Sequence, residues 1–266
     1  MALVDIISDT HFDSFFKFCN PKEEEILSLW QSLQPQAQTL VIAGDIGHSN
    51  SQNIHVLKTL RRNFYKNIVL VLGNHDYYID KNEYETREER ANEFKERCKK
   101  IDGIYLLDGD VVKIDGIKFG GAMGWYDGKY FEQIKDSIGG AKMDMQATWK
   151  DTINDNPKMA FDDFLGTETA KIERTLAQEP DVMITHFNPS TKIEHQHPLL
   201  ANDETTTFYC YDGRRHMEVF DGKYWIFGHS HFSDEFDIDG RFTLMTNCLG
   251  YANEKNKGRI STIELY

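Results

Sequence analysis

Short apolar runs along the chain alternate with segments whose apolar residues recur every three or four positions. Three runs rich in Val, Ile and Leu lie at residues 3–7, 39–43 and 67–72. Such continuous runs predict strands that are buried on both faces of a sheet. Residues 22–33 and 51–65, which lie between the runs, have the apolar spacing of amphipathic helices. This strand–helix alternation predicts a parallel sheet with right-handed crossovers.

The pattern changes after residues 83–100, a highly charged segment that predicts an exposed helix. Residues 111–119 and 236–244 each contain two short apolar runs separated by Asp-Gly, a pair that favours a two-residue hairpin turn. Hairpins in addition to parallel strands predict a mixed α/β protein with two mixed sheets between helical layers.

The chain is interpreted as one domain, residues 1–266, because no Pro/Gly/Ser-rich linker, low-complexity run or internal repeat divides it. Residues 124–166 fit the alternation poorly. This insertion is either a cap over a substrate or a helical segment that packs on the core or on a second subunit, and packing is the favoured interpretation. Its aromatic and Met residues are Trp125, Tyr126, Tyr130, Phe131, Met143, Met145, Trp149, Met159, Phe161 and Phe164.

Charge, cysteine spacing and the lengths of the apolar segments argue against indiscriminate nucleic-acid binding, a disulfide framework and a membrane span. Thirty Lys and Arg against 43 Asp and Glu give a net charge of −13, so indiscriminate nucleic-acid binding is not expected. The four cysteines form no Cys-x-x-Cys pair, which favours reduced, mostly buried thiols over a disulfide framework. No leader-like or bilayer-length apolar segment occurs, so a cytoplasmic protein without a membrane partner is predicted.

Polar clusters follow five of the predicted strands. Ligands bind beyond the carboxyl ends of strands in open α/β sheets, so these clusters are expected to converge on one site. Each cluster alone has an ordinary explanation as a turn, a helix cap or a hydrogen-bonded core histidine. Five of them in order at strand ends indicate a shared function. They are Asp9-Thr10-His11, Gly44-Asp45, Gly73-Asn74-His75-Asp76, His186 and Gly228-His229-Ser230-His231.

The clusters supply a set of metal-ligand types. Carboxylate and amide oxygens mixed with imidazole nitrogens suit Mn, Fe or Zn better than Mg or Ca, and the absence of cysteine argues against a structural zinc site. The candidate ligands are Asp9, His11, Asp45, Asn74, His186, His229 and His231.

In these motifs the chain resembles the calcineurin-like metallophosphoesterase superfamily, whose pattern is D-x-H, G-D, G-N-H-[DE], a strand-end His and G-H-x-H. The resemblance implies a four-layer α/β/β/α sandwich and two divalent metal ions per chain, Mn foremost with Fe, Zn or Ni as alternatives. It implies that Asp45 bridges the metals, that His75 is the acid or oxyanion-stabilising residue, and that Asp76 orients His75. The implied ligands are Asp9, His11 and His231 for one metal, and Asn74, His186 and His229 for the other.

One departure from the family pattern narrows the expected function. The protein Ser/Thr phosphatase branch usually has arginines after its second and third motifs, whereas here Ile46-Gly47-His48 and Tyr77-Tyr78 follow. Dephosphorylation of large phosphoproteins is therefore put in doubt. Arg214 and Arg215 could meet a phosphate from another direction, although a solvated surface pair is the favoured interpretation.

The expected activity is hydrolysis of a small phosphomonoester or phosphodiester, with in-line attack by a hydroxide that bridges the metals. The alternatives are a nuclease of the same fold, which the acidic charge disfavours, and a catalytically silent metal-binding scaffold, which the intact His75 and Asp76 disfavour. The loop after His186 is expected to border the site. One of its histidines could contact substrate, although a position at the surface is the favoured interpretation for each; they are His195, His197 and His216.

Overall fold

The computed structural model of the protein describes residues 2–16, 20–79, 83–135, 144–152, 164–254 and 259–266. The strands of these segments form two sheets. They are β1 (Ala2–Ile7), β2 (Thr39–Ala43), β3 (Asn67–Val71), β4 (Ile104–Leu106), β5 (Asp110–Ile114), β6 (Ile117–Gly121), β7 (Val182–Ile184), β8 (Tyr224–Phe227), β9 (Ser233–Ile238), β10 (Phe242–Asn247) and β11 (Ser261–Leu265).

The first sheet has the order β11-β1-β2-β3-β4. Strands β1 to β4 are parallel, and β11 runs antiparallel to β1 at one edge. The second sheet has the order β5-β6-β7-β8-β10-β9, in which β6, β7, β8 and β10 are parallel and the two edge strands are antiparallel. Both sheets are therefore mixed, as predicted.

Helices connect and cover these strands. They are α1 (Phe12–Phe15), α2 (Glu23–Ser32), α3 (Asn50–Asn63), α4 (Arg87–Lys99), α5 (Lys129–Ile134), α6 (Met145–Thr152), α7 (Leu165–Leu176) and α8 (Arg214–Val219). No helix among the described residues is long and apolar enough to cross a membrane. The cytoplasmic location stays a prediction.

The two sheets pack face to face through an apolar cluster to which both contribute. Val4, Val41 and Val69 from the first sheet meet Val182 and Ile226 from the second. The outer face of each sheet packs against helices: Trp30, Leu57 and Phe94 cover the first, and Ile172 and Met217 cover the second. Helix, sheet, sheet and helix are the four layers that the sequence predicts.

The strand and hairpin predictions are confirmed, with small differences in element ends. Asp115-Gly116 and Asp239-Gly240 both have positive φ at both residues, as the tight turns of such hairpins require. The charged helix begins at Arg87 rather than at residue 83, and it is not fully exposed. Its buried face consists of Arg90, Ala91, Phe94 and Cys98, at helical spacing.

The described part of the insertion packs on the protein's own chain. In α5 the Phe131 N–H donates to Thr207 Oγ1 at 3.2 Å, and the Tyr130 hydroxyl donates to the Ala201 carbonyl. Trp149 of α6 is buried. Met143, Met159 and Phe161 lie outside the described residues, so the cap stays a prediction, as does the single domain. Cys98, Cys210 and Cys248 are free and buried as predicted, and Cys19 lies outside the described residues.

Candidate metal centre

The parallel strands of the two sheets end at one edge of the sandwich, and the five polar clusters meet there. Each strand passes directly into a short loop that carries the polar side chains. Because β1, β2 and β3 belong to one sheet and β7 and β8 to the other, the site spans both sheets. Six of the candidate ligands lie in these loops, and Asn74 begins the short 3-10 helix (Asn74–Tyr77) that follows β3.

The first group of donors lies at the ends of β1 and β8. His231 Nε2 is 3.6 Å from Asp9 Oδ1 and 3.2 Å from His11 Nε2. One donor atom from each of these three residues falls within 4.8 Å of the others, a spacing that suits a single ion.

The second group lies at the ends of β2, β3, β7 and β8. His186 Nε2 is 3.3 Å from Asp45 Oδ2 and 3.0 Å from Asn74 Oδ1. His229 belongs to the same cluster of donors. Asp45 Oδ2 is also 3.8 Å from His11 Nε2, so this carboxylate lies between the two groups.

These separations fit divalent cations. Metal–ligand bonds of about 2.1 Å place neighbouring ligand atoms roughly 3.0–3.4 Å apart in octahedral or tetrahedral coordination. The separations within the two groups run from 3.0 to 3.6 Å. The imidazole and oxygen donors and their spacing therefore fit a pair of borderline divalent ions.

The backbone at the candidate ligands is strained. Nine non-glycine residues of the described chain have positive φ, and five of them are candidate ligands. A left-handed conformation at such residues costs about 1–2 kcal/mol each and persists where the surrounding structure enforces it. Strain of this kind clusters at functional sites. The five ligands are Asp9, His11, Asp45, His229 and His231.

Two motif glycines allow the strand-end loops to approach one another. A Cβ on Gly73 would lie 2.1 Å from Asp45 Oδ1, and a Cβ on Gly44 would lie 2.4 Å from His186 Nδ1. Gly44 also has φ of +85°. Any side chain at these positions would displace a candidate ligand, which explains why glycine precedes Asp45 and Asn74.

Comparison with known proteins decides the family. Residues 2–233 match the family model described as calcineurin-like phosphoesterase. The chain belongs to the calcineurin-like phosphoesterase family. It is a metal-dependent phosphoesterase, as the motifs predict.

Two similar proteins match most of this phosphoesterase chain at low identity. A protein of Acanthamoeba polyphaga mimivirus, named Uncharacterized protein L509, is 24% identical over 96% of this chain and 94% of its own. The crystal structure of phosphopantetheinyl hydrolase from Mycobacterium tuberculosis is 16% identical and covers 98% of this chain and 95% of its own, with a TM-score of 0.66. At that identity the likeness establishes the fold alone.

Outer contacts hold several candidate ligands of the phosphoesterase in place. Asp9 Oδ2 accepts hydrogen bonds from Ser8 Oγ at 2.5 Å and Cys248 Sγ at 2.8 Å. His186 Nδ1 lies 2.8 Å from the Ala43 carbonyl, which leaves Nε2 facing Asp45. Hydrogen-bonding groups of this kind orient a side chain for metal binding.

The carboxylates and imidazoles of the phosphoesterase site strongly shift one another's pKa values. Burial alone would raise the pKa of Asp45, but the imidazoles of His186 and His75 outweigh it and hold that pKa well below its ordinary value. Burial alone would lower the pKa of His186, but Asp45 raises it to about 9. Burial lowers the pKa of His229 to about 3. Without metal these shifts favour an ionised Asp45 beside a protonated His186, and a divalent ion held by His186 would compete with that proton.

The surroundings of His75 differ from the prediction. Asp76 was expected to orient His75, but its Oδ2 accepts the Gly73 N–H at 2.8 Å, and its Oδ1 makes no hydrogen bond within the described chain. The ring of His75 contacts His48 instead, with His48 Nε2 2.6 Å from His75 Nδ1. Asp76 instead fixes the tight turn between β3 and His75.

The arginines and histidines that the sequence analysis considered as possible substrate contacts are not part of the two donor groups. Arg214 pairs with Asp212 at the surface, as the solvated-pair interpretation predicts, and Arg215 is exposed. His195 is buried against Ser190 Oγ at 2.8 Å rather than lying at the surface. His197 packs on Phe232, next to His231. His216 lies in α8, where it packs on Tyr211.

Three residues that the motifs do not include lie at the site. Glu254 Oε1 is 2.8 Å from His231 Nδ1, and the ring of Tyr251 stacks on His11 with centroids 4.2 Å apart. The third is His48. Tyr251 and Glu254 follow β10 and belong to no family motif in the sequence. Only their spacing from a strand end could have indicated them.

Proposed function

We propose that this phosphoesterase hydrolyses small phosphate esters with two divalent ions held by the seven candidate ligands. The observation that carries the proposal is the position of Asp45. Its Oδ2 lies 3.3 Å from His186 Nε2 and 3.8 Å from His11 Nε2, one atom of each donor group. A carboxylate shared in this way suits a bridge between two ions.

Each donor group would hold one ion. Asp9, His11 and His231 would bind the first, Asn74, His186 and His229 the second, and Asp45 both. When bound, such a pair of cations activates water for in-line attack and neutralises the phosphoryl oxygens. We place Mn first among the metals, with Fe, Zn or Ni as alternatives, because imidazole and carboxylate donors occur together.

His75 would act on the reacting ester. Its backbone N–H donates to Asp45 Oδ1 at 2.9 Å, and its ring Nε2 lies 3.9 Å from Asp45 Oδ2, so this edge of the ring faces the metal centre. From this position His75 would donate a proton to the leaving oxygen or stabilise charge on the phosphoryl group. If His75→Ala keeps full turnover of an ester with a poor leaving group, this role is wrong.

A small substrate agrees with the charge of the protein. With a net charge of −13, the surface repels polyanions, whereas two ions held beside Asp9 and Asp45 would make the site locally positive. A small phosphate ester can reach such a site, but a long nucleic acid would have to approach an acidic surface.

The test is a paired assay of p-nitrophenyl phosphate and bis(p-nitrophenyl) phosphate with added Mn²⁺. The wild type is expected to hydrolyse at least one of them, and Asp45→Asn to lose turnover on the order of 100-fold or more, since a metal ligand is worth more than its outer partners. Preference for the monoester indicates a phosphatase, and preference for the diester a phosphodiesterase.

Two results would contradict the proposal. Wild-type protein that binds two ions and hydrolyses neither ester would favour the silent scaffold. Faster cleavage of a labelled oligonucleotide than of either small ester would favour the nuclease.

A further inference from the structure

We propose that His48, backed by Asp13, is the positioning residue for His75. This inference rests on the proposed function, since it assigns the group that holds the proposed acid. His48 takes the place that the family motif suggested for Asp76.

The rings of His48 and His75 meet edge to edge at hydrogen-bond distance. His48 Nε2 lies 2.6 Å from His75 Nδ1, and the two rings are nearly coplanar, with centroids 4.9 Å apart and planes 11° from parallel. A hydrogen bond at Nδ1 fixes both the tilt of the His75 ring and the direction of its Nε2. That Nε2 is the atom on the metal-centre side of the ring, 3.9 Å from Asp45 Oδ2.

Asp13 holds His48 from the other side. Asp13 Oδ1 accepts the His48 backbone N–H at 3.0 Å, and Asp13 Oδ2 lies 3.8 Å from His48 Nδ1. A carboxylate, an imidazole and the His75 ring therefore form one continuous row. Because both ends of His48 have a partner, its ring has a preferred orientation although the side chain is 48% exposed.

The loop that carries His48 is fixed by buried groups. The Gly47 carbonyl accepts hydrogen bonds from Arg90 Nη2 at 2.7 Å and Asn53 Nδ2 at 2.8 Å. Arg90 Nη1 also donates to the His75 carbonyl at 2.7 Å. The buried Arg90 guanidinium thus connects the backbone before His48 to the backbone of His75, and this fixes the position of one ring relative to the other.

This arrangement gives His48 a function distinct from metal binding. It does not belong to any donor group of the metal centre, and it reaches the reaction only through His75. We therefore expect the loss of His48 to slow the step in which His75 donates a proton to the leaving oxygen. This step depends most on His75 when the leaving group is poor.

The test compares His48→Ala, His48→Gln and a control, His55→Ala, whose ring lies on α3 near the Pro21 carbonyl. The substrates are an alkyl and a p-nitrophenyl ester of the preferred class. His48→Ala is expected to lower kcat about 10–100-fold for the alkyl ester and less than about 3-fold for the p-nitrophenyl ester, the range typical of an outer partner. KM and metal content should stay constant, and His48→Gln should recover part of the loss.

Several outcomes would overturn the inference. Equal losses on both esters, no loss, or a fall in bound metal would show that His48 does not act through His75. A second measurement does not need turnover: the imidazole ¹⁵N resonances of His75 should shift in His48→Gln and not in His55→Ala. Inactivity of the wild type on both esters would count against the proposed function, while the resonances would still decide the role of His48.

Discussion

The imidazole of His231 has a partner on each ring nitrogen. Its Nε2 faces Asp9 and His11 in the first donor group, and its Nδ1 lies 2.8 and 3.1 Å from the two oxygens of Glu254. A carboxylate on the far nitrogen fixes the tautomer and raises the basicity of the nitrogen that binds metal. Glu254 would therefore orient His231 for the metal coordination that we propose.

Glu254→Gln should weaken metal binding at the first donor group. The amide can keep a hydrogen bond to Nδ1 but lacks the negative charge, so the affinity is expected to fall about 10–100-fold. Isothermal titration calorimetry of the metal-free protein with Mn²⁺ measures the change in affinity.

Glu235→Gln is the matched control because Glu235 lies exposed on β9. It should bind Mn²⁺ like the wild type. Equal affinities for Glu254→Gln and the control would exclude a role for Glu254 in metal binding.

At the scale of elements, the approach of one strand-end loop to the next determines the site. Gly73 follows β3 with φ of −112°, a conformation that any residue adopts, so its only special property is the missing Cβ. The space that a Cβ would occupy is filled by Asp45 Oδ1 and the Asp45 backbone nitrogen. The β2 and β3 loops can be adjacent only because residue 73 is glycine.

Gly73→Ala should destabilise the protein and displace Asp45. Overpacking of this kind costs about 1–3 kcal/mol, and turnover should fall with it. Urea denaturation gives the free energy of unfolding, and the phosphoesterase assay gives the turnover.

Gly166→Ala serves as the control for the same change in chemistry. Nothing lies within 4 Å of a Cβ on Gly166, which is a helical residue of α7. This variant should be more stable than the wild type by about 0.4–1 kcal/mol and fully active. Loss of stability in both variants alike would refute the steric explanation.

At the scale of the whole molecule, one acidic residue links the two outer helical layers. Asp108 lies between β4 and β5, at the edge of the sandwich, and accepts from Lys95 of α4 and Lys171 of α7 at 2.6 Å each. Helix α4 covers the first sheet and α7 the second, so both layers are tied to one carboxylate. Burial alone would raise the pKa of Asp108, but Lys171 and Lys95 hold it below its ordinary value.

Asp108→Asn should therefore lower stability in a pH-dependent way. The folded state favours the ionised carboxylate, so its contribution is fully present above the unfolded pKa of about 3.9 and is lost as the pH falls through the lower folded pKa. At pH 7 the variant should lose about 1–2 kcal/mol, since hydrogen bonds to charged groups are involved.

Unfolding free energies of both proteins between pH 3 and pH 8 measure this effect. The difference between wild type and Asp108→Asn should stay constant from pH 6 to pH 8 and shrink as the pH falls below about 4. A difference that grows on acidification would contradict the assignment.

Local sequence determined most of the elements and the ligand types of this protein. Continuous apolar runs such as residues 39–43 are hydrophobic enough to be buried on both faces whatever surrounds them, so β1, β2, β3 and β8 lie where the pattern predicts. Element ends were less certain, because caps and turns rather than hydrophobicity end a helix, as at the start of α4. The five motifs indicated the metal centre because strand ends converge in any such sheet.

Tertiary structure alone decided which residues support those ligands. Glu254 contacts His231 from 23 positions away, and His48 contacts His75 from 27, and neither distance follows a helix or strand period. Asp76, adjacent to His75 in sequence, points to the Gly73 N–H instead, because backbone dihedrals set the direction of a side chain. Sequence patterns record local periodicity and composition, whereas contacts between loops depend on how two sheets pack. For this reason the convergence of the candidate metal ligands could be predicted from the chain, and the contact between His48 and His75 could not.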